Sequence, residues 1–249
     1  MIEFALKTAE RAGIIALKHF RKANKVSFKS RQDILTVADT EVERLILREI
    51  SNKFPEHAIL AEESGKHRGA SNYMWVIDPI DGTVNYAAGL PCFAISIGLA
   101  YKEQPILGVV YDPYLNEFMY AEKGKGAYIN GKKIRIGTEK KLINSLVATD
   151  LGHKRSKHIV KRVKALLPIT RAVRIMGSAS RGLVDVALDR VQAYLHNDVQ
   201  PWDVAASYII IREAGGNIIN FKGKPWELYD RTIIASNETL SKKLLEYIR

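Results

Sequence analysis

The segment Trp75–Tyr86 reads WVIDPIDGTVNY and is the most informative stretch of this 249-residue chain. Its apolar start, Trp75–Ile77, predicts a buried strand that ends at Asp78. The residues that follow turn the chain, which brings Asp78 and Asp81 to one side with the Ile80 carbonyl between them. Oxygen ligands placed in this way suit a hard cation such as Mg²⁺. The alternative is a plain strand end followed by an Asp that caps a short helix.

Acidic residues also stand at the ends of other predicted elements. The apolar run Ala58–Ala61 predicts a second strand, and it ends in Glu62 and Glu63. Asp39 lies at the entry to a predicted helix, and Asp203 opens another helix that is largely apolar. Acids that meet in one cleft repel each other unless a cation neutralises them. We therefore expect these side chains to converge on a metal site.

The composition excludes several classes of protein. With 47% hydrophobic and 26% charged residues, the chain is neither disordered, collagenous nor fibrous. Its single cysteine, Cys92, excludes an internal disulfide framework and a metal site built from cysteines of one chain. The 38 Lys and Arg exceed the 27 Asp and Glu, which gives a net charge of +11. This excess fits a solvated basic surface, a surface for nucleic acid or anionic lipid, or a field that attracts small anionic substrates.

The start of the chain bears on the compartment. Met1–Lys7 lacks the charged start and long apolar run of a signal peptide. No segment approaches the roughly 18 apolar residues that are needed to span a bilayer. We therefore expect a cytoplasmic protein that does not enter a membrane.

Two helices are predicted before the first strand. Apolar residues at helical spacing predict an amphipathic helix over Ile2–Phe20. A second helix fits Val42–Ile50, with Thr40 and Glu43 as its capping box. It should end before Pro55, which cannot continue a helix.

The rest of the first half favours strands. Short runs rich in β-branched and aromatic residues alternate with turn residues, which predicts a largely antiparallel meander. The segment 63–73, rich in Gly, Ser, Lys and His, is expected to be a loop beside Glu62. The predicted strands cover residues 58–61, 73–77, 93–100, 106–111 and 117–121, with a further one at 127–129. Helices packed on such a sheet make the first half an α+β structure.

The second half alternates strands and helices, which is typical of an α/β structure. Strands are predicted at 146–149, 172–176, 192–195 and 232–235, and helices at 156–167, 179–188, 203–214 and the end of the chain. The change of pattern falls near residues 137–144. We therefore divide the chain into an N-terminal part, 1–140, with the metal motifs, and a C-terminal part, 141–249, with the substrate pocket, packed as one compact unit.

Trp75–Tyr86 closely resembles the first signature of the inositol monophosphatase family, whose relatives include archaeal fructose-1,6-bisphosphatases and 3′-phosphoadenosine-5′-phosphate phosphatases. Three other segments match the family pattern in the expected order, namely Glu62–Ser64, Trp202–Ala206 and Glu213–Gly216. The resemblance covers nearly the whole chain. It implies a layered α-β-α-β-α sandwich, which agrees with the α+β and α/β halves predicted above.

The resemblance also implies the ligands of two or three Mg²⁺ ions. One ion would be held by Glu62, Asp78 and the carbonyl of Ile80, and a second by Asp78, Asp81 and Asp203. A third, looser ion in the family is held mainly through Glu62 and water. Paired cations of this kind serve in-line phosphoryl transfer to water, because they orient the nucleophile and stabilise the leaving group.

Further roles follow from the same resemblance. Asp39 matches the acid that hydrogen-bonds the motif threonine, here Thr83, and this pair orients the attacking water. Asp39, Glu62 and Thr83 are therefore the predicted catalytic residues. The backbone N–H groups of Gly82, Thr83 and Val84, at the start of a helix, offer a site for the substrate phosphate.

The substrate pocket is predicted from weaker signals. The segment 171–179 resembles the family strand and turn that line this pocket, with Ala179 at its end. Arg174 aligns with an arginine that contacts substrate in archaeal members of dual activity, although it also fits an ordinary surface or salt-bridged arginine. His196 departs from the family, because animal enzymes carry glutamate and archaeal bisphosphatases carry arginine there. It is either a ligand for sugar hydroxyls or phosphate, or a loop residue without a role.

The sequence thus predicts a Mg²⁺-dependent phosphomonoesterase that acts on inositol 1-phosphate, fructose 1,6-bisphosphate or both. The alternatives are another small phosphate ester of the family, such as 3′-phosphoadenosine 5′-phosphate or histidinol phosphate. A remote alternative is a basic protein that binds nucleic acid, although no motif that reads DNA or RNA is visible. The family resemblance also implies a homodimer. No nucleic-acid or membrane partner is expected, because the sequence shows neither a nucleic-acid-reading motif nor a membrane-spanning segment.

Overall fold

The computed structural model describes residues 1–22, 26–28, 34–151 and 157–248. The helices are α1 (Ile2–His19), α2 (Val37–Lys53), α3 (Thr83–Ala87), α4 (Lys157–Leu166), α5 (Ala179–Ala187), α6 (Pro201–Glu213) and α7 (Glu238–Ile248). The first ten strands are β1 (Val26–Phe28), β2 (Ile34–Thr36), β3 (Ala58–Ala61), β4 (Gly65–His67), β5 (Tyr73–Asp81), β6 (Ala94–Tyr101), β7 (Gln104–Asp112), β8 (Glu117–Glu122), β9 (Ala127–Ile129) and β10 (Lys132–Ile134). They are followed by β11 (Leu146–Thr149), β12 (Ala172–Ile175), β13 (Ala193–His196), β14 (Asn217–Ile219) and β15 (Ile233–Ser236).

The larger sheet has eight strands in the order β10-β9-β8-β7-β6-β5-β3-β4. Strands β5 to β10 pair with their neighbours in antiparallel fashion, which confirms the predicted meander. β3 instead runs parallel to β5, so both strands deliver their carboxyl ends to the same edge. At this shared edge, Glu62 directly follows β3, and Asp78 directly follows the apolar residues Trp75–Ile77 of β5.

The end of β5 differs from the prediction. The sequence predicted that the strand would end at Asp78 and that the chain would then turn, but β5 continues to Asp81. Its register against β6 shifts between Asp78 and Asp81, which is a β-bulge. Pro79 is tolerated because a bulge leaves its position outside the regular ladder of hydrogen bonds. The bulge places both carboxylates at one end of a rigid strand.

β1 and β2 form a separate antiparallel pair, and the smaller of the two layered sheets has five strands in the order β12-β11-β13-β15-β14. β12, β11 and β13 are parallel, and β15 and β14 are antiparallel to their neighbours. The predicted alternation of strands and helices is confirmed, although the sequence did not predict β14. The predicted start of the helix at Ser156 lies outside the described residues.

The helices and the two sheets form five layers, as the family resemblance implied. α1 and α2 bury their apolar faces on one side of the larger sheet, and α5 and α6 lie between the two sheets. α4 and α7 cover the outer side of the smaller sheet. α5 and α6 contact both sheets, so the fold shows no gap at residue 140. The division of the chain at this residue stays a prediction.

Two glycines bring α6 close to the larger sheet. A Cβ on Gly108 of β7 would lie 2.2 Å from the carbonyl oxygen of Ala206, and one on Gly98 of β6 would lie 3.1 Å from Ala205. The helix therefore rests directly on the backbone of the sheet. This contact carries the first turn of α6, with Asp203, to the end of β5.

The beginning of α2 corrects a second prediction. The helix starts at Val37, and its capping box joins Thr36 to Asp39 rather than Thr40 to Glu43. Both pairs have the required spacing, but Thr36 has extended backbone at the end of β2, whereas Thr40 already lies inside the helix. Similarly, the predicted loop at 63–73 contains the short strand β4, which pairs with β3. In the described part of the chain, no helix is long and apolar enough to cross a membrane.

Candidate active site

Three acids meet where β5 and α6 come together. One oxygen from each of Asp78, Asp81 and Asp203 lies within 4.8 Å of the other two. The bulged end of β5 supplies the first two, and the first turn of α6 supplies the third. Three carboxylates at this separation have the donor set and spacing of a site for a hard divalent cation.

Asp78 is the most deeply buried member of this group. Asp78 is only 2% exposed, and its Oδ1 has no hydrogen-bond partner in the described part of the chain. Burial raises the pKa of Asp78 well above its usual value, and the charges of Glu62, Asp81 and Asp203 raise it further. A buried carboxylate without a partner is unfavourable unless a proton or a metal ion compensates it. The orphaned oxygen is therefore direct evidence that the site fits a cation.

Asp203 shares this environment but has a backbone donor. Its Oδ2 accepts a hydrogen bond of 2.8 Å from the N–H of Gln200, within a capping box at the start of α6. Burial and the charge of Asp81 raise the pKa of Asp203 well above its usual value, although the Gln200 N–H opposes this. The capping bond fixes one carboxylate oxygen and leaves the other for the shared cluster.

Asp81 is held by the beginning of α5. Its Oδ2 accepts hydrogen bonds from the Ser178 hydroxyl at 2.5 Å, the Ser180 hydroxyl at 2.6 Å and the Ser180 N–H at 2.7 Å. Its Oδ1 accepts the Ala179 N–H at 3.1 Å. Four donors therefore define the orientation of this carboxylate. The N–H of Ala179, a predicted substrate contact, is directed to Asp81.

Glu62 lies beside Asp78 because β3 runs parallel to β5. Ala61 pairs with Ile77, and the N–H of Glu62 donates to the Ile77 carbonyl at 3.2 Å. The Glu62 carboxylate is close enough to raise the pKa of Asp78 both by its charge and through a hydrogen bond. The structure therefore brings together all four acids that were predicted as metal ligands.

Glu43 fixes the turn that carries Glu62, a role that the sequence does not reveal. This buried residue of α2 accepts hydrogen bonds of 2.9 Å from the N–H groups of both Glu63 and Ser64. A usable signal existed, since Asp39 and Glu43 are spaced by one helical turn on the face that also carries Ile46. Acids on the apolar face of a helix indicate buried partners.

Thr83 lies between two acceptors. Its hydroxyl is 3.0 Å from Asp39 Oδ1 and 2.9 Å from the Ile80 carbonyl oxygen, and it donates to one of them at a time. The other Asp39 oxygen accepts from the Thr36 N–H at 2.9 Å. Burial raises the pKa of Asp39, against the lowering effect of these hydrogen bonds. Asp39, Ile80 and Thr83 therefore form one connected group at the end of β5.

The predicted phosphate-binding segment begins at Gly82. Its φ of +93° is in the region that favours glycine, and a Cβ there would lie 2.9 Å from the Cys92 carbonyl oxygen and 3.0 Å from Ser178 Cβ. The glycine thus lets the start of α3 pack against the turn before α5. Thr83 and Val84 form the first turn of α3, with the Val84 side chain 55% exposed.

The two residues that were predicted to discriminate between substrates differ in exposure. Arg174 is exposed on the edge strand β12, where its Nη1 donates to the Val173 carbonyl at 3.1 Å. His196 is only 5% exposed and is the last residue of β13, not part of a loop. Its ring lies 6.4 Å from the ring of Tyr194. Both residues lie in parallel strands of the smaller sheet, and their contact with substrate stays a prediction.

Asp150 is a buried acid that was absent from the predicted site. It follows β11, is 7% exposed, and accepts hydrogen bonds from the Gly177 N–H and, at 2.8 Å, from the Tyr194 hydroxyl. Burial raises the pKa of Asp150 to about 7, although both donors oppose this. The signal was present, because an acid directly after an apolar strand is the pattern that also identified Glu62.

Comparisons with known proteins agree with this geometry. The model of the family described as "Inositol monophosphatase family" matches residues 1–249. "Inositol monophosphatase 2" of Solanum lycopersicum is 35% identical over 249 residues, which cover 96% of this chain and 94% of that protein. "Fructose-1,6-bisphosphatase/inositol-1-monophosphatase" of Thermotoga maritima is 34% identical over 248 residues, 99% of this chain and 95% of that protein. The crystal structure of extragenic suppressor protein suhB from Bartonella henselae has a TM-score of 0.95 at 29% identity, and the match covers 99% of this chain and 97% of that one.

Proposed function

The chain belongs to the inositol monophosphatase family of phosphoric monoester hydrolases, and on this basis we propose that it hydrolyses inositol 1-phosphate, fructose 1,6-bisphosphate or both with Mg²⁺. The observation that carries the proposal is the buried Asp78 oxygen without a partner, surrounded by three further acids. Carboxylate oxygens of this kind suit Mg²⁺ better than softer metals.

The residues present fit two ions. Glu62, Asp78 and the Ile80 carbonyl would hold one, and Asp78, Asp81 and Asp203 would hold the other, with a looser third ion near Glu62. When bound, Mg²⁺ makes water a better nucleophile near neutral pH and stabilises charge on the phosphoryl and leaving-group oxygens. The donors that surround Asp81 keep its carboxylate in one orientation, which reduces the reorganisation needed for binding.

Asp39 and Thr83 supply orientation for the attacking water. When the Thr83 hydroxyl donates to Asp39, its oxygen lone pairs accept a hydrogen from water. In this state Thr83 is joined to Asp39 of α2, which is itself held by the Thr36 N–H, so the water is directed from a rigid frame. The water oxygen attacks phosphorus, the ester P–O bond breaks, and the alcohol leaves with a proton. The N–H groups of Gly82, Thr83 and Val84 then hold the phosphate.

Arg174 and His196 are the proposed determinants of substrate choice. A guanidinium forms paired hydrogen bonds with a phosphate, so Arg174 favours a substrate with a second phosphate group. The Thermotoga maritima relative, whose name includes both activities, supports the dual proposal. A cytoplasmic homodimer is the assembly that we propose from the family resemblance, and light scattering tests its mass.

The test is phosphate release from four esters after removal of metal with EDTA, with and without added Mg²⁺. The esters are inositol 1-phosphate, fructose 1,6-bisphosphate, 3′-phosphoadenosine 5′-phosphate and histidinol phosphate. We expect the highest kcat/KM for one or both of the first two, and only with Mg²⁺. Preference for either of the last two would overturn the proposed substrate. Absence of all turnover, together with salt-dependent binding to RNA or DNA, would favour the nucleic-acid alternative.

A further inference from the structure

The turn between β12 and α5, residues 176–178, is held from several directions. Asp150 accepts the N–H of Gly177 from one side. From the other side, Asn85 of α3 donates 2.9 Å hydrogen bonds to the carbonyls of Met176 and Cys92. This turn is therefore fixed to both β11 and α3 through side chains that are distant in sequence.

The same turn leads directly into the donors that hold Asp81. Ser178 and Ser180, one on the turn and one in the first turn of α5, give that carboxylate three of its four hydrogen bonds. The turn also packs on Gly82, where a Cβ would lie 3.0 Å from Ser178 Cβ. A displacement of the turn would therefore move Asp81 and the start of α3 together.

We propose that Asp150 is a positioning residue for the metal centre, which holds Gly177 so that the following turn presents its hydroxyl and N–H groups to Asp81. The inference rests on the proposed function and extends it to a residue that is neither a predicted metal ligand nor a predicted substrate contact. Asp150 acts through Gly177, and Tyr194 orients it by donating to its second oxygen.

A carboxylate at position 150 is electrostatically unfavourable. Asp81 lies close enough to raise the pKa of Asp150, and Asp150 in turn raises the pKa values of Asp203, Tyr194 and Cys92. Adding a buried negative charge beside an acid cluster weakens the metal-free fold. The hydrogen bond to Gly177 offsets this cost, because a buried N–H without an acceptor is itself unfavourable.

The conformation of Gly177 explains why its N–H needs the Asp150 carboxylate as an acceptor. Its φ is +71°, and a Cβ on it would lie 2.8 Å from the amide nitrogen of Asn85. The turn therefore depends on glycine's conformational freedom, and Gly177 packs closely against Asn85. Asp150 supplies the restraint that the glycine backbone lacks.

The test compares Asp150→Ala, Asp150→Asn and Asn220→Ala. Asparagine preserves the geometry, since its Oδ1 accepts from Gly177 and its amide donates to the Tyr194 oxygen. Asn220 is a matched control, because it is a buried residue that accepts the N–H groups of Lys222 and Lys224 in a turn after β14, three strands from β11. The readouts are Mn²⁺ affinity by calorimetry, hydrogen exchange of the Gly177 amide, and kcat/KM with Mg²⁺.

We expect Asp150→Ala to weaken Mn²⁺ binding and to lower kcat/KM by about 10-fold to 100-fold, as for other residues that orient metal ligands. Its Gly177 amide should exchange faster, whereas Asp150→Asn should recover most of the affinity and the protection. Asn220→Ala should lower the thermal midpoint without changing Mn²⁺ affinity or Gly177 exchange.

Two results would overturn the inference. One is an Asp150→Ala protein with unchanged Mn²⁺ affinity and Gly177 exchange. The other is an Asp150→Asn protein as impaired as Asp150→Ala, which would assign the effect to charge rather than to positioning. If the unmodified enzyme hydrolyses none of the four esters, the proposed function fails, while Mn²⁺ affinity and Gly177 exchange still decide the role of Asp150.

Discussion

Two groups of largely buried acids adjoin α5, and they are balanced in different ways. The arginine cluster consists of Asp112, Glu117 and Asp185 with Arg181 and Arg190. The metal cluster consists of Glu62, Asp78, Asp81 and Asp203, and among the described residues no Lys or Arg lies within ion-pair distance of its three aspartates. Buried aspartates thus occur once with their own cations and once without.

The comparison shows that both burial and the supply of cations set the pKa values of these acids. Burial raises the pKa of Asp112 even though the charge of Arg181 opposes this shift. The Arg190 guanidinium lowers the pKa of Glu117, although burial opposes it. In the metal cluster, burial and neighbouring acids both raise the pKa of Asp78. The arginine cluster is complete in the folded chain. In the metal cluster the neighbouring carboxylates repel one another, and bound divalent cations would relieve this repulsion. Metal binding would therefore stabilise the fold.

The largest expected effect comes from breaking the arginine cluster. Arg181→Met should destabilise the fold by about 3–5 kcal/mol, because it leaves the buried Asp112 carboxylate without its cation. Urea unfolding of the metal-free protein measures the change. The matched control is Arg11→Met, which removes an exposed ion pair with Glu49 and should change the stability by less than about 1 kcal/mol. Equal losses in the two variants would contradict the contrast between the clusters.

Removal of one acid from the metal cluster should act in the opposite way, on activity rather than on the fold. Asp203→Asn should lower kcat by at least about 100-fold, since it removes a charged ligand of the second cation. The metal-free variant should be as stable as the parent or more so, because one source of repulsion for Asp78 is gone. Steady-state kinetics and thermal unfolding in EDTA measure the two effects. Near-native turnover would rule out the two-metal assignment.

The dependence of stability on pH next tests the raised pKa values of the metal cluster and of Asp150. The pKa values of Asp78, Asp203 and Asp150 are raised in the fold, so the folded chain binds protons more tightly than the unfolded chain does. The metal-free protein should therefore lose stability as the pH rises. For Asp150 the loss extends from its unfolded pKa near 3.8 to its folded pKa of about 7. Each unit between the two pKa values contributes about 1.4 kcal/mol.

The measurement is urea unfolding in EDTA at pH 5.5 and pH 8, repeated with Mg²⁺. Because Mg²⁺ competes with protons for the same oxygens, it should stabilise the protein more at pH 8 than at pH 5.5. Asp203→Asn should reduce this difference, whereas Arg11→Met should leave it unchanged. The opposite result would be a metal-free parent protein that is more stable at pH 8 than at pH 5.5, with no such rise in Asp203→Asn. This result would contradict the proposed role of the metal cluster.

The metal cluster was more predictable from the sequence than the structures that hold it. Short apolar runs that end in acids identified Glu62 and Asp78, and order along the chain identified Asp203. The β3 and β11 bounds also followed from such runs, since turn residues or acids flank them. By contrast, Glu43 and Asp150 bind backbone N–H groups that are 20 or more residues away. A local pattern marks these acids, but it does not identify the distant groups that they bind.

The errors in the fold have local causes. Pro79 indicates a turn, yet pairing with β6 keeps the chain extended through a bulge as far as Asp81. Two Thr-x-x-acid pairs compete to start α2, and the one next to β2 prevails. β14 has three residues after a Gly-Gly pair, so it is too short for a periodic signal and depends on its pairing with β15. Tertiary contacts decide each of these cases.

The smallest expected effect concerns an arginine outside both clusters. Arg181 is buried among acids, whereas Arg174 is exposed and has no acidic partner among the described residues. A guanidinium in this state is available for the second phosphate of a bisphosphate. Arg174→Ala should therefore lower kcat/KM for fructose 1,6-bisphosphate by about tenfold, equivalent to roughly 1.4 kcal/mol, with a smaller loss for inositol 1-phosphate. Arg135→Ala, an exposed change outside the predicted pocket segment 171–179, is the control. Equal losses for both esters in Arg174→Ala would show that Arg174 does not discriminate between them.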